Sequence, residues 1–280
     1  MPVIDVHTHM FTPRWLELLQ SEGGLYNIKT RPDGQQEVFR GDTPVVIPQK
    51  GHFDYEMRIR MMNEAGIDIS IVSLTCPNVY WGNEDTSVRA ARESNDTMAQ
   101  AQTTWPDRIR WFTSLPWEYP ARAVEELERT VQNGASGVMV LANVAGRSLT
   151  DPFFAPIWKA IDDRALPVLV HPTDPPGADL MDMTKFDLSW SVGFMFDTTL
   201  AITRMIFEGF FDQYPNLKLI ASHGGGTLPY LVGRFEKGDE VEIPQRRQMK
   251  RKPTDYLQRS EEHTSDLQSL RHLVCRLLLE

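Results

Sequence analysis

The feature that most constrains this chain is a short apolar run that returns six times, with helical sequence between its occurrences. The runs lie at 3–6, 69–75, 109–115, 137–141, 167–171 and 217–222. Each is rich in β-branched residues, as strands buried on both faces of a parallel sheet are. Helical patterns fill the intervals: 55–65 between Asp54 and Gly66, 86–104, 121–133 between Pro120 and Gly134, and 195–213. Alternation of strand and helix requires a parallel sheet, either doubly wound or closed into a barrel. No glycine-rich dinucleotide fingerprint follows the first strand. Candidate catalytic residues stand at the C-terminal ends of several different strands, where barrel enzymes keep their sites. The expected fold is therefore α/β, a (β/α)8 TIM-type barrel.

The length, 280 residues, suits one such barrel. A net charge of −9 argues against nucleic acid as a partner, because phosphate binding needs a basic face. It leaves room for an anionic substrate met by local arginines. No run approaches the roughly 18 apolar residues of a membrane span. The N-terminus lacks a signal-peptide pattern, and the two cysteines, Cys76 and Cys275, build no disulfide framework. The expectation is a cytoplasmic protein that engages neither membrane nor nucleic acid.

Two segments break the rhythm. Residues 23–51 mix Gly, Pro and Asp with short β-like pieces at 37–40 and 45–47, and read as a small β insertion over the barrel mouth. The tail 259–280 supplies no further strand. Back-translated, 259–265 fits AGATCGGAAGAGCACACGTCT, a sequencing-library adapter. The reading is a barrel over 1–258, truncated after about six of the eight β/α units a closed barrel needs, followed by a non-native tail. A genuine amphipathic C-terminal helix is the alternative.

Histidine marks three strand ends. His7-Thr8-His9 closes the first, and residues i and i+2 of a strand share a face. His171 follows Pro167-Val168-Leu169-Val170. His223 precedes Gly224-Gly225-Gly226, glycines that let the backbone turn sharply and approach a ligand. A satisfied core histidine, or an imidazole packed in a tight turn, explains any one alone; three strand ends together point to a shared site. Three imidazoles suit a divalent metal with an open position, and the fourth is left for acid–base work. His52 falls in the insertion and reads as a loop histidine.

These residues resemble the amidohydrolase superfamily, and within it the aminocarboxymuconate-semialdehyde decarboxylase family. The likeness runs from Val3 to about Gln258. It includes Asp5-Val6-His7-Thr8-His9, Val38-Phe39-Arg40, Arg58-Ile59-Arg60-Met61-Met62, Val170-His171-Pro172 and Thr198-Thr199-Leu200-Ala201-Ile202. Its longest stretch runs from His223-Gly224-Gly225-Gly226 through Thr227-Leu228-Pro229-Tyr230-Leu231-Val232-Gly233-Arg234. The resemblance implies Zn2+, or another divalent ion such as Mn2+ or Co2+, on His7, His9 and His171. It makes His223 the acid/base, and Arg40 and Arg234 the holders of substrate carboxylates. Arg234 would reach a neighbouring subunit's site, which implies a homodimer. Trp190 falls where the family places an aromatic residue near substrate; plain core packing is the alternative for Trp190, and a surface ion pair for each arginine. The family's last metal ligand, an aspartate at the end of the eighth strand, would lie beyond Gln258.

The implied reaction is non-oxidative decarboxylation of an unsaturated or aromatic carboxylic acid, a small-molecule substrate. The same histidines would also suit a hydrolase of an ester, lactone or amide, or a hydratase of an unsaturated dicarboxylate. From another class, an inactive truncated fragment or a binding protein keeps the scaffold without turnover.

Overall fold

The computed structural model describes residues 2–175, 177–183, 185–241 and 248–257. The tail at 259–280, and Cys275 within it, lie outside the described residues.

Six parallel strands form one curled sheet: β1 (Ile4–His9), β5 (Ile69–Ser73), β6 (Ile109–Ser114), β7 (Gly137–Leu141), β10 (Pro167–His171) and β11 (Lys218–Ala221), adjacent in chain order. This sequential parallel order is that of a barrel and not of a doubly wound sheet, whose strand order reverses. The described residues form a half-barrel.

Helices connect the strands. Helix α2 (Tyr55–Ala65) starts at Asp54, whose carboxylate accepts from the Met57 amide at 2.8 Å. Helix α3 (Glu84–Thr104) starts at Asn83, which accepts from Thr86. Such caps satisfy one of the amides a helix start leaves open. Helix α4 (Pro120–Gln132) begins on a proline whose missing N–H costs nothing there; α5 (Ala155–Asp162) leads into β10. The helical pattern at 195–213 is not one helix. It divides into α6 (Phe194–Phe207) and α7 (Phe210–Gln213). The break is Gly209, at φ 66°, where an added Cβ would stand 2.8 Å from the Gln248 carbonyl oxygen. Apolar periodicity continues through this break, so the pattern alone did not reveal it.

The insertion is a three-stranded antiparallel sheet: β2 (Tyr26–Thr30), β3 (Gln36–Arg40) and β4 (Thr43–Val46). The sequence showed β3 and β4 but not β2, whose Tyr-Asn-Ile-Lys-Thr lacks a clear apolar alternation. Ahead of it, α1 (Pro13–Glu22) packs Trp15, Leu16, Leu18 and Leu19 inward. After β7 comes a small hairpin, β8 (Asn143–Val144) with β9 (Arg147–Ser148). Beyond β11, the chain forms a short turn α8 (Ser222–Gly225), then α9 (Leu228–Val241) and α10 (Pro253–Leu257).

Four fully buried tryptophans anchor the core: Trp15, Trp111, Trp117 and Trp158. The Trp117 and Trp158 rings meet edge to face with centroids 4.9 Å apart. The Trp158 indole donates to the Leu149 carbonyl at 2.8 Å, so its one polar atom is satisfied on burial. Truncating such a ring to alanine costs roughly 3–5 kcal/mol. No helix among the described residues is long and apolar enough to cross a membrane.

Candidate metal centre and adjoining cavity

Strand β1 runs three residues further than its apolar run implied, so His7 and His9 are strand residues. Its pairing with β5 is irregular. Asp5 sits opposite Ser70 and Thr8 opposite Val72, so Val6 and His7 together face the single position of Ile71. This is a bulge, the device that re-aims a side chain at a strand end.

The sheet gathers four imidazoles. The His7 and His9 rings lie 4.9 Å apart between centroids, His7 and His171 5.1 Å, and His9 and His171 4.8 Å. His223 stands 4.8 Å from His7 and 5.4 Å from His171. The Nε2 atoms of His7 and His9 are 3.1 Å apart. One ring nitrogen each from His7, His171 and His223 lies within 4.8 Å of the others. His223 is reached by a strained turn: at φ 52° and ψ 46° it is a non-glycine residue in the left-handed region. The four strand-end histidines that the sequence singled out therefore lie together.

Carbonyl groups orient two of the rings. His9 Nδ1 lies 3.1 Å from the Leu74 carbonyl oxygen, and His171 Nδ1 2.8 Å from that of Pro172. Each carbonyl calls for the proton on Nδ1 and so leaves the Nε2 lone pair bare. His171 Nε2 also meets the Thr75 hydroxyl at 3.3 Å. Burial pushes the His7 pKa down to about 4, helped by repulsion from His223. His9 falls well below the ordinary value through burial and its neighbours His7 and His52. His171 falls likewise, through burial and then His9, His7 and His223. His223 is lowered by partial enclosure, although its outer side is exposed. Near neutral pH the four rings are uncharged donors, the form a metal requires.

The donor set fits a divalent ion. Two nitrogens on one tetrahedral zinc, each about 2.0–2.1 Å from it, sit roughly 3.3 Å apart. The His7–His9 spacing is close to that, and neutral imidazole suits zinc and similar divalent transition ions.

A cavity of about 670 Å³ opens on the same side of the fold, and none of the four histidines is itself among its lining residues. Pro77 and Thr173, two residues past Thr75 and His171, are among its walls. Arg40 and Tyr26, register partners across β2 and β3, face it from the insertion. Glu118, Asn143 and Asp174 also line it. Arg40 makes no ion pair within 4.0 Å among the described residues, so the surface-pair alternative does not describe it. Arg234 is exposed on α9 and is not a wall of this cavity. Trp190 is 68% exposed, which excludes core packing; its neighbour Ser189 lines the cavity, and Trp190 itself does not.

Sequence reading missed the support beneath this cavity. Buried Asp197 on α6 accepts from Asn143 Nδ2 at 3.0 Å and from the Thr173 amide at 2.9 Å. It thereby ties α6 to the turn that follows His171. Asp174 accepts from the Ser189 hydroxyl. No motif announces Asp197; its only signal was an acid at a position of α6 otherwise flanked by core residues. His52 is a turn residue whose Nδ1 accepts from the Gln49 amide, and it packs on Phe11.

Comparison with known proteins identifies the family. The amidohydrolase family profile matches residues 4–278. The chain belongs to the amidohydrolase family. The matched range passes Gln258 and overlaps the tail set aside on sequence grounds. Among curated relatives of this amidohydrolase, a 2-amino-3-carboxymuconate-6-semialdehyde decarboxylase of Dictyostelium discoideum is 31% identical over 240 residues. That alignment covers 84% of this chain and 66% of the relative. A gamma-resorcylate decarboxylase of Polaromonas sp. is 31% identical over 212 residues, covering 72% and 65%. The chain thus spans just under two thirds of the length of these relatives. A crystal structure of 2,6-dihydroxybenzoate decarboxylase complexed with 2,6-dihydroxybenzoate superposes with a TM-score of 0.74 at 25% identity, covering 92% of this chain and 78% of that one.

Proposed function

We propose that this amidohydrolase is a metal-dependent, non-oxidative decarboxylase of an unsaturated or aromatic carboxylic acid. The observation that carries the reading is the convergence of four imidazoles at the strand ends, with Arg40 lining a cavity whose walls include Pro77 and Thr173, two residues past Thr75 and His171. The named activities of the relatives, all decarboxylations, support it.

In this reading His7, His9 and His171 hold the ion, which is Zn2+, Mn2+ or Co2+. Two of these rings are oriented through Nδ1 by carbonyls, as metal-bound imidazoles are. The ion, when bound, supplies Lewis acidity that polarises an oxygen placed against it. Arg40 receives a substrate carboxylate, for which its planar fork is suited. His223, exposed on its outer side, exchanges protons with solvent. Its ring first takes up a proton from solvent, and the resulting imidazolium delivers that proton to the substrate carbon bearing the departing carboxylate, returning to the neutral ring. The carbon–carbon bond to that carboxylate then breaks, carbon dioxide leaves, and the electron pair restores the substrate's unsaturation. The net proton consumed comes from solvent through His223.

Finer parts of the reading extend beyond the cluster. Arg234, exposed and away from the cavity of its own chain, completes the site of a partner copy in a homodimer. Trp190 borders arriving substrate from the segment that carries Ser189. The buried free thiol of Cys76 suits a reducing cytoplasm.

The test is a panel of hydroxybenzoic, aminobenzoic and unsaturated dicarboxylic acids, offered to metal-loaded protein with carbon dioxide release followed. Release from at least one acid is the expected result. Hydrolysis of aryl esters or lactones without any decarboxylation across the panel would overturn it.

A further inference from the structure

Two charged residues that the proposed reaction does not use bracket His7-Thr8-His9. On one side, Asp5 Oδ1 accepts from the His7 amide at 3.1 Å. The bulge opposite Ile71 displaces this amide from the regular ladder, and a part-buried amide without an acceptor is costly. His7 has no register partner on β5, and the Asp5 carboxylate gives its amide an acceptor. On the other side, Arg58 reaches from α2 and donates through Nη2 to the His9 carbonyl at 3.1 Å, with Met10 Sδ at 3.7 Å. There β1 ends, and Met10 makes its last bond to the sheet through Ser73.

We propose that Asp5 and Arg58 are positioning residues that fix the backbone on either side of His7-Thr8-His9, so that the two imidazoles keep their Nε2 atoms converged. Neither touches the ion or substrate. Asp5 sets where the His7 Cα sits within the bulge; Arg58 sets the plane of the peptide that follows His9. A donor pair spaced at 3.1 Å tolerates little movement, because metal–nitrogen distances hold to within about 0.2 Å. This inference rests on the metal-site reading, and its test separates the two.

The experiment uses the full chain, first metal-free and then titrated with Co2+. In metal-free protein, Asp5→Ala speeds hydrogen exchange at the His7 amide about tenfold or more, while the amides of β5 exchange as before. Asp5→Asn, which keeps an acceptor oxygen, returns exchange close to that of the unsubstituted chain. In the titration, Asp5→Ala and Arg58→Met each weaken Co2+ binding about 10- to 100-fold and shift its visible absorption bands. Arg58→Lys restores part of the affinity. Unchanged His7 exchange in Asp5→Ala, or unchanged Co2+ affinity in both variants, overturns the proposal. If the unsubstituted chain takes up no Co2+, the metal reading fails and the exchange comparison alone decides the positioning role. If Asp5→Ala does not fold, Arg58→Met and Asp5→Asn carry the test: Co2+ affinity lost in the first and kept in the second supports the proposal, and equal affinity in both overturns it.

Discussion

The Nε2 atoms of His7 and His9 face each other at 3.1 Å, and the Leu74 carbonyl on His9 Nδ1 leaves the His9 Nε2 without a proton. That bare lone pair needs either a proton shared from His7 or a cation between the rings. Burial holds both rings uncharged near neutrality, so the cation meets no proton competition there. His7→Ala and His9→Ala are each expected to lose the metal. Elemental analysis after dialysis checks this, and near-full occupancy in both would remove them from the ligand set.

His223 differs from the other three in its exposure and in the left-handed turn that presents it. As a proton donor to substrate it governs rate and not metal retention. His223→Ala is expected to keep its metal and to lose turnover by about 10²- to 10⁴-fold. Co2+ titration and steady-state rates on one preparation separate the roles. If the metal leaves with His223, this residue is a ligand, as its place within 4.8 Å of His7 and His171 also permits.

Much of this site was legible in the sequence, for a definite reason. His7, His9, His171 and His223 stand at or just past the ends of apolar runs, and parallel strands bring such ends to one rim. Strands β7 and β10 match their apolar runs residue for residue. What escaped was whatever depends on a contact between distant segments. Gly209 breaks a helix because the Gln248 backbone occupies the space beside it. Leu74 and Pro172 matter through carbonyls, which every residue has. Asp197 is recognised only once Asn143 and Thr173 are seen around it.

Asp197 gives the chain a pH dependence that can be isolated. Burial pushes its pKa up to about 7, against the hydrogen bonds from Thr173 and Asn143. A carboxyl whose folded pKa exceeds its unfolded value of 3.8 binds more protons when folded between those values. Stability contributed by Asp197 is therefore lost as pH rises from about 4 to 7, by an amount of order 4 kcal/mol. The lowered histidines act with the opposite sign: the unfolded chain takes up their protons first, so their contribution falls as pH drops below about 6.5. The sum of the two trends is ambiguous in the unsubstituted chain, but the difference from Asp197→Asn is not. Urea midpoints of metal-free protein should show Asp197→Asn gaining on the unsubstituted chain as pH rises through that window. A constant difference between the two proteins from pH 4 to 7 would show that Asp197 titrates normally.

Gly226 joins the His223 turn to the body of the fold. It lies at φ 65°, and an added Cβ would stand 2.6 Å from the Met195 carbonyl oxygen and 2.8 Å from Thr199 Oγ1. The Thr199 hydroxyl is itself committed: it donates to Met195 and receives the Thr227 amide at 2.8 Å. Alanine here meets backbone and a bonded hydroxyl, neither of which yields cheaply, in a conformation that already disfavours it. Gly226→Ala should cost about 1–3 kcal/mol of stability and push the turn away from α6. Because His223 sits three residues earlier on that turn, turnover should fall further than the stability loss explains. Thermal unfolding and rates measured well below the transition test this together. If the variant loses stability but keeps full turnover, the turn is a structural hinge that His223 does not depend on.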